Sequence, residues 1–462
     1  MQPDHGIAAL GGGSRTAELP PLVWMLSMCV GVLFATGLIA GIEFLNGTWY
    51  WRRPWQDLGV VRCAVLLAVP MLPLALALQR RQPLGIRWRL AWLVLAAFGL
   101  QLAAALCHPH PWERLQAIIE SPVATSYFTD AVAITELGPW LAAFHEAELA
   151  LHSATHPPGP ILFHFAFWKL FGTAAPLAAA LAIGVIASLG VPLAWWFAGR
   201  WSRDAQARLR VAALYAIMPA LVVFFPEFDQ LYPLLTMLIV AAWLSALEGS
   251  RVHALWVGVA LFVATFFAWN LLALGVFVLL AAAWRAWAGS RDSKPVVVPI
   301  AGAAMVALVA ALGLYALLWL LSGYRPVASL QHALATQSVF AELVHRPWLA
   351  CVLLDPWDFL VGTGIAVAIL PVAYFRQVRS DPAARQGALA LAGIGLASVL
   401  LIDLSGLLRT ETARVWLFLQ PFMLVPAGLA LARFTPRQQA LLIGVHWWVL
   451  VIMVARLSFI DP

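Results

Sequence analysis

The sequence predicts an all-α, polytopic membrane protein, and three observations lead to this fold class. Of its 462 residues, 63% are hydrophobic and only 11% are charged, with a mean hydropathy of +0.86. A soluble domain of this length could not bury so much apolar surface. The apolar residues form runs long enough to cross a hydrocarbon core of roughly 30 Å. Most Arg residues lie in short loops between these runs, where they set membrane orientation.

Eleven apolar runs have the length of a span. They lie at about 21–42, 58–78, 90–107, 176–198, 208–225, 230–248, 296–322, 358–375, 386–403, 413–432 and 438–456. A single helix over 253–288 would be about 54 Å long, so we expect a tight hairpin that turns near Asn270. The stretch 158–171 is too short to cross comfortably. The sequence therefore predicts about 13 transmembrane helices.

The arginine distribution predicts the orientation in the plasma (inner) membrane. With these two assignments, the Arg-rich loops fall on one face. These loops are 79–89, 199–210, 285–294 and 376–385. By the positive-inside rule that face is cytoplasmic, so the tail 1–20 is cytoplasmic and the C-terminus is external. No basic tract points to nucleic acid, and we expect membrane lipids as the surrounding partner.

The same topology places most of the 22 acidic residues outside. They concentrate in the loop after residue 107, in the turn Pro226-Glu227-Phe228-Asp229, in Asp355-Pro356-Trp357-Asp358 and between Asp403 and Glu411. Polar groups are costly beside hydrocarbon, so a loop that gathers them usually forms a site. We expect an external cup that is lined by carboxylates.

The longest polar interruption runs from Tyr127 to Pro160, and we interpret it as the wall of the active site. It contains Asp130 and a His156-Pro157-Pro158 corner. The pattern over 142–152 suits a helix along the membrane interface, and 161–169 suits a half-buried juxtamembrane helix. The four cysteines are scattered singly, so the spacing implies neither a disulfide framework nor a zinc knuckle. They suit small core positions.

At these residues the chain resembles a known family. The order is a first-loop Asp, then His-Pro-Pro opening a short helix that ends Leu-Phe-Gly, then Gly199-Arg200-Trp201-Ser202-Arg203-Asp204, then Leu214-Tyr215 before an external acidic turn. This order is similar to the GT-C superfamily of membrane glycosyltransferases, which includes protein O-mannosyltransferases and bacterial aminoarabinose transferases that act on lipid A. The resemblance covers about residues 90–250. The motifs around Asp355 and Arg409 to Trp416 are similar to those of uncharacterised bacterial relatives.

The resemblance implies a polyprenyl-phosphate-linked sugar as donor and transfer on the external, periplasmic face to an acceptor glycan, lipid or protein of the cell envelope. It divides the chain into a tail, a two-helix extension and a GT-C-like transmembrane domain. These are 1–20, 21–89 and 90–456, with external loops 108–175 and 323–357. Asp130 matches the carboxylate base of the family's first loop, although the family often has Asp-Glu where this chain has Asp130-Ala131. Glu227-Phe228-Asp229 matches a second-loop acidic motif.

The residues suit this chemistry. A hydroxyl that attacks an anomeric carbon loses a proton, so a carboxylate such as Asp130 can serve as general base. The lipid phosphate gains negative charge as it leaves, which calls for cations or donors beside it. The candidates are His156, Arg409 and Arg414, or a divalent metal that is held by acids such as Glu227 and Asp229.

Each candidate also has a structural interpretation. Asp130 could be a solvated loop residue, and His156 could hydrogen-bond the Pro-Pro corner. Glu227 and Asp229 could cap a helix end, Arg414 could pair with Glu411 at i,i+3, and Asp355 and Asp358 could cap the next span. Tyr127, the first residue of this polar stretch, and Glu411 are further candidates.

Two other functional classes remain open. A transporter or flippase of a lipid-linked glycan would show internal repeats, broken helices and ionisable residues at mid-membrane. No clear inverted repeat is found, and the charged residues lie at span ends. An O-antigen-type polymerase or ligase would also have a long external loop, but it would depend on Arg and His residues late in the chain.

Overall fold

A computed structural model describes residues 20–41, 59–79, 84–291, 297–344, 347–379, 388–409 and 411–457. Over these ranges the chain is built from α-helices joined by short 3₁₀ turns and loops, and no strand occurs in them. The fold class predicted from composition is therefore confirmed as a helical protein with several apolar helices of membrane-crossing length.

The helices of the first half include those of the predicted extension, of the loop after residue 107 and of the segments around the acidic turn. They are α1 Pro21–Ile39, α2 Val60–Ala68, α3 Met71–Leu78, α4 Ile86–Cys107, α5 Pro111–Glu120, α6 Tyr127–Val132, α7 Leu137–Ala142, α8 Leu151–Ala154, α9 Gly159–Phe171, α10 Ala175–Ser188, α11 Gly190–Phe197, α12 Ala205–Ala216, α13 Pro219–Val223 and α14 Tyr232–Leu247. A 3₁₀ turn, Phe228–Leu231, leads into α14.

The helices of the second half are longer on average. They are α15 Arg251–Phe267, α16 Leu274–Arg291, α17 Val297–Ser322, α18 Pro326–Val344, α19 Trp348–Thr363, α20 Leu370–Arg379, α21 Ala388–Ser405, α22 Thr412–Val415, α23 Gln420–Leu431 and α24 Pro436–Arg456. The two halves pack together through α12 against α23 and α1 against α24.

Nine helical runs within the described ranges are long and apolar enough to cross a membrane, and two bent helix pairs would raise this to 11. The shorter apolar helices Arg251–Phe267 and Leu417–Leu431 lie below the length limit. The predicted number of about 13 requires both of these to cross as well, and it stays a prediction.

The first of the two ambiguous stretches contains a break, and the second ends at one. The helix over 253–288 is interrupted by the 3₁₀ turn Trp269–Ala273, which contains Asn270, and the hairpin itself stays a prediction. The second stretch forms α9, which opens a helical run of 42 residues, Gly159–Arg200. A run of that length is about 63 Å long and exceeds one crossing of about 30 Å. That residues 158–171 do not cross the membrane stays a prediction.

Two expectations about local structure are wrong. Residues 142–152 do not form one interfacial helix, because the chain is extended at Ala147 and at Ala150 between short helical turns. The loop 323–357 is largely helical, with α18 inside it. The span expected at 358–375 instead begins in α19 and bends by 97° near Gly364. Gly364 has φ 117°, and a Cβ there would lie 2.0 Å from the His446 ring, so this bend requires glycine.

The segments that carry polar side chains meet at one end of the bundle. The short helix α6 packs on α9, and α22 packs on α19. The turn Phe228–Leu231 contacts both α10 and α22. Segments that are far apart in sequence therefore enclose one polar region.

The predicted orientation can be tested with single cysteines in a cysteine-free background. Thr135 and Ser290 are both exposed, and the arginine distribution places Thr135 outside and Ser290 inside. Thr135→Cys should react with a membrane-impermeant maleimide in whole cells, and Ser290→Cys should react only after the membrane is opened. Labelling of Ser290→Cys in intact cells would contradict the topology.

Candidate functional site

The centre of the polar region is Arg414, whose guanidinium lies among three carboxylates. Its Nη2 donates to Glu411 Oε2 at 2.6 Å. Its Nη1 lies 3.5 Å from Glu227 Oε2, and its Nε lies 3.8 Å from Asp229 Oδ2. The Arg414 side chain is only 9% exposed, and that of Glu227 is 1% exposed. A buried cation thus joins two loops that are distant in sequence.

The local backbone explains how Arg414 is held. Glu411 adopts a left-handed conformation, with φ 52°, and begins α22. Asp358, a residue of α19, caps the N-terminus of α22. Its Oδ2 accepts from the Ala413 N–H at 2.8 Å and from the Thr412 hydroxyl at 3.3 Å. A capping carboxylate accepts hydrogen bonds from backbone N–H groups and interacts favourably with the helix dipole. The Glu411 side chain does not cap α22 and pairs with Arg414 instead.

This contact also corrects the role expected for Asp355 and Asp358. Both lie within α19, where the Asp355 carbonyl accepts from the Thr412 hydroxyl at 2.7 Å. Asp358 does cap a helix, but that helix is α22 and not the following span. Both residues are buried and support the helix that carries Arg414.

Glu227 lies in the tight turn that the sequence predicts at Pro226. Burial raises the pKa of its carboxyl to about 8, and the positive charge of Arg414 opposes this shift. Its Oε1 is buried and has no hydrogen-bond partner among the described residues. The guanidinium of Arg414 lies among the carboxyl groups of Glu411, Asp229 and Glu227, which stabilise its positive charge. Near neutral pH the pair is therefore a charged guanidinium beside a largely protonated Glu227.

Tyr127 and two histidines form the other side of the cluster. The Tyr127 hydroxyl lies 3.2 Å from His152 Nε2, and its ring centroid lies 5.4 Å from that of His156. Burial raises the pKa of Tyr127 well above its usual value, and the negative charge of Asp229 adds to the effect. Tyr127 follows Ser126, whose φ of 53° is also left-handed. The only two non-glycine residues with positive φ in the described ranges thus directly precede the two short helices of the site, which is typical of functional backbone strain.

The hydrogen bonds of His156 define its tautomer. Its Nδ1 lies 2.9 Å from the carbonyl oxygen of His152, and a carbonyl can only accept, so Nδ1 carries the proton. Burial lowers the pKa of His156 to about 4, so the ring is neutral at pH 7 with a lone pair on Nε2. Neutral His156 is suited to accept a hydrogen bond or proton, and it offers no positive charge to a phosphate.

Asp130 lies on α6, one turn beyond Tyr127, but its contacts are not with Arg414. Its Oδ1 accepts from the Ala150 N–H at 3.4 Å. Its Oδ2 is buried and has no hydrogen-bond partner among the described residues. Burial raises the pKa of Asp130, and hydrogen bonds from Ser153 and Ala150 partly oppose this. A desolvated carboxylate with one uncommitted oxygen has the properties of a general base.

The remaining predicted cation, Arg409, lies at the end of α21, where its Nε donates to the Gly406 carbonyl at 2.7 Å. The sequence reasoning therefore identified Tyr127, His156, Glu227, Asp229, Glu411 and Arg414, which the structure brings into one cluster. Asp130 lies beside this cluster on the shared helix α6. Asp355 and Asp358 contact the first residues of α22, Thr412 and Ala413.

Two residues of the cluster were missed. His152 contacts Tyr127 and lies with its ring centroid 4.7 Å from that of His156. Tyr232 is buried within electrostatic range of Asp229 and Tyr127. The signals were present, since His152 precedes His156 by four residues and Tyr232 follows Asp229 by three, which are helical neighbour spacings.

The metal hypothesis fits the geometry poorly. Within the described ranges, no group of three or more His, Cys, Asp or Glu side chains is arranged to hold a metal ion. Glu227 and Asp229 both face the guanidinium of Arg414, so a divalent cation would have to displace it. Arg414 already supplies the counter-charge that a metal would bring.

Comparison with known proteins does not assign a family: no protein-family model matches the chain, and no curated protein matches it. The functional interpretation therefore depends on the geometry of the site and on the resemblance of its motifs.

A pH experiment tests the burial of His156. Its pKa is about 4 in the folded protein against 6.5 for the free side chain, so the unfolded chain binds more protons between these values. Stability from this group is lost as the pH falls from 7 towards 4, by about 2 kcal/mol between pH 7 and 5. Glu227 shifts in the opposite direction, because its raised pKa favours the folded state as the pH falls.

The readout is therefore the difference between wild type and His156→Asn, in which the Asn amide replaces the Nδ1 donor. Thermal unfolding in detergent should show that the variant loses less stability than wild type between pH 7 and 5. Equal losses in the two proteins would mean that His156 is solvated.

Proposed function

We propose that this protein is a membrane glycosyltransferase of the GT-C type. It would move a sugar from a polyprenyl-phosphate-linked donor to an acceptor hydroxyl of a glycan, lipid or protein on the external face of the plasma membrane. The observation that carries the proposal is the convergence of Tyr127, Glu227, Asp229 and Arg414 on one buried cluster, with Asp130 on the adjoining turn.

Asp130 is the proposed general base. Transfer requires that the acceptor oxygen lose its proton as it bonds to the anomeric carbon, and the base must lie within hydrogen-bond reach of it. Oδ2 of Asp130 is the uncommitted oxygen, while Oδ1 is oriented by the Ala150 N–H. The raised pKa brings the carboxylate nearer to the working pH, which strengthens it as a base.

The leaving group is the lipid phosphate, and Arg414 is its proposed counter-cation. Burial raises the pKa of Glu227, and its 3.5 Å contact with Nη1 is longer than the 2.6 Å hydrogen bond from Nη2 to Glu411, so it is the easier of these two to exchange. A phosphate oxygen could replace it and accept from the guanidinium. The protonated Glu227 carboxyl would then be a second donor at the same position. Arg409 is a further candidate for this contact.

His156 takes a different role in this proposal from the one expected for a phosphate ligand. Its free Nε2 is an acceptor, so it would orient a donor hydroxyl group of the sugar or of the acceptor. The Tyr127 hydroxyl, held by His152, lies between the histidines and the acids and completes the polar wall.

One observation favours a second candidate, a flippase for a lipid-linked glycan. The pair Trp348–Thr363 and Ile365–Arg376 is bent by 97°, and discontinuous helices of this kind line the substrate sites of many transporters. The near-complete burial of the Arg414 side chain also suits a site that opens by alternating access.

The two functions are distinguished with purified protein in lipid vesicles that contain polyprenyl-phosphate sugars extracted from membranes. A glycosyltransferase should release polyprenyl phosphate and glycosylate the acceptor fraction in equal amounts. A flippase should move the intact donor across the bilayer without cleaving it. Translocation without cleavage, across all extracted donors and acceptors, would overturn the proposal.

A further inference from the structure

Two buried cysteines meet where α2 packs along α4. Cys63 lies in the first turn of α2, and Cys107 is the last residue of α4. Both side chains are 0% exposed, and the two free thiols lie close enough to interact with each other. The sequence spacing gave no reason to pair them, because 43 residues separate them along the chain. The contact is created by the packing of the two helices.

The side chain of Arg62, next to Cys63, links the start of α2 to the end of α4. Arg62 Nη2 donates to the Leu106 carbonyl at 3.0 Å and to the His108 carbonyl at 3.4 Å. These are the carbonyls on either side of Cys107, at a helix end where backbone acceptors lack intrahelical donors. The start of α2 is thereby fastened to the end of α4 at the level of the two thiols.

The predicted topology places this junction at the external end of both helices. The external side of a plasma membrane is oxidising, and disulfides form and persist there. The two other cysteines differ in position, since Cys29 is exposed in α1 and Cys351 lies in α19. The combination of contact, burial and compartment is found at Cys63 and Cys107.

We propose that Cys63 and Cys107 form a structural disulfide that joins α2 to α4. The oxidant is a protein disulfide of a thiol oxidoreductase on the external side. The thiolate of one cysteine attacks that disulfide, forms a mixed disulfide and releases one thiol of the oxidant. The second cysteine then displaces the other thiol, so two cysteine thiols are oxidised, one external disulfide is reduced, and both protons pass to solvent or to the released thiols.

The bond would fix the starting point of the polar loop of the site. The chain leaves α4 at Cys107 and enters α5 after only three intervening residues. The last residues of α5 are tied to the start of the site, because the Thr125 hydroxyl donates to the Ile118 carbonyl and the Thr129 hydroxyl to the Glu120 carbonyl. A covalent link at Cys107 thus restrains the segment from which α6, Tyr127 and Asp130 follow. Because both sulfurs are buried, the bond must form before the helices finish packing.

Thiol counting in the full-length protein tests this proposal. Cells are quenched in acid, and the denatured protein is alkylated with a maleimide, reduced, alkylated again with an isotopically heavier maleimide and digested for mass spectrometry. Cys29 and Cys351 should carry the light label, whereas Cys63 and Cys107 should carry the heavy one. The unreduced digest should contain the peptide pair joined through these two residues.

Matched variants separate the bond from general effects. Cys63→Ala should expose Cys107 to the light label, and Cys107→Ala should do the same for Cys63. Cys351→Ala, a buried cysteine of another helix, should leave the heavy label on the pair unchanged. Reducing agent should lower the unfolding temperature of wild type and of Cys351→Ala, but not that of Cys63→Ala. Light label on both Cys63 and Cys107 in the wild type would overturn the proposal.

Discussion

Asp130→Asn is expected to lower the rate of sugar transfer by about two to four orders of magnitude while leaving donor binding intact. Asn resembles the protonated carboxyl in size, so it can keep the contacts with Ala150 and Ser153 that hold Asp130. It cannot accept the proton of the acceptor hydroxyl. The loss therefore falls on turnover. The measurement is initial transfer rate with extracted polyprenyl-phosphate sugars, at matched amounts of folded protein.

Glu136→Gln is the matched control for this variant. Glu136 is an exposed acid of the same loop, at the start of α7, and a neutral substitution there should change neither turnover nor stability by a measurable amount. Full activity of Asp130→Asn would remove the general base from the proposal. In that case the flippase would become the better interpretation of the site.

Arg414→Ala is expected to destabilise the folded protein by about 3–5 kcal/mol, because it leaves buried carboxylates without a counter-cation. A contact with a lipid phosphate alone would predict a tenfold or greater loss in donor efficiency with the fold intact. The contacts with Glu227 and Asp229 make stability the first quantity to change. The measurement is thermal unfolding in detergent, and Arg203→Ala, which removes an exposed arginine, is the control.

A double-mutant cycle isolates the pair. Glu411→Gln alone should destabilise the folded protein. The double variant should lose less stability than the sum of the two single variants, because Glu411→Gln removes the negative charge that Arg414→Ala leaves unpaired. Strict additivity would show that Arg414 and Glu411 are not coupled. Arg414→Lys keeps the charge but loses the planar fork, so it should retain stability better than donor use.

Much of this site was predictable, because its chemistry is concentrated where the apolar sequence is interrupted. The acids and cations that stand out at span ends, Glu227, Asp229, Glu411 and Arg414, do meet in the structure. Polar groups between apolar spans are stabilised mainly by contacts with one another. The meeting of the Tyr127 loop with the segment that carries Arg414 depends on helix packing, which the local sequence pattern does not describe.

The errors have the same origin. The 97° bend near Gly364 depends on the close approach of His446, which lies about 80 residues further along the chain. The break at 147–150 follows from an N–H of Ala150 that donates to Asp130 and not to its own helix. Tyr232 was missed because an aromatic residue in an apolar run is usually core. Periodicity describes one helix at a time, whereas these features are produced by neighbours from distant segments.

The pairing of Glu227 with Arg414 also sets an order for biogenesis. About 190 residues separate the two, and at typical synthesis rates of about 5–20 residues per second the arginine leaves the ribosome roughly 10–40 s after the acid. During that interval Glu227, whose raised pKa favours the neutral acid, can stay in apolar surroundings without a partner, since only the charged carboxylate is costly there. Chains that stop before α22 lack the guanidinium of the cluster, so the last loop completes the site.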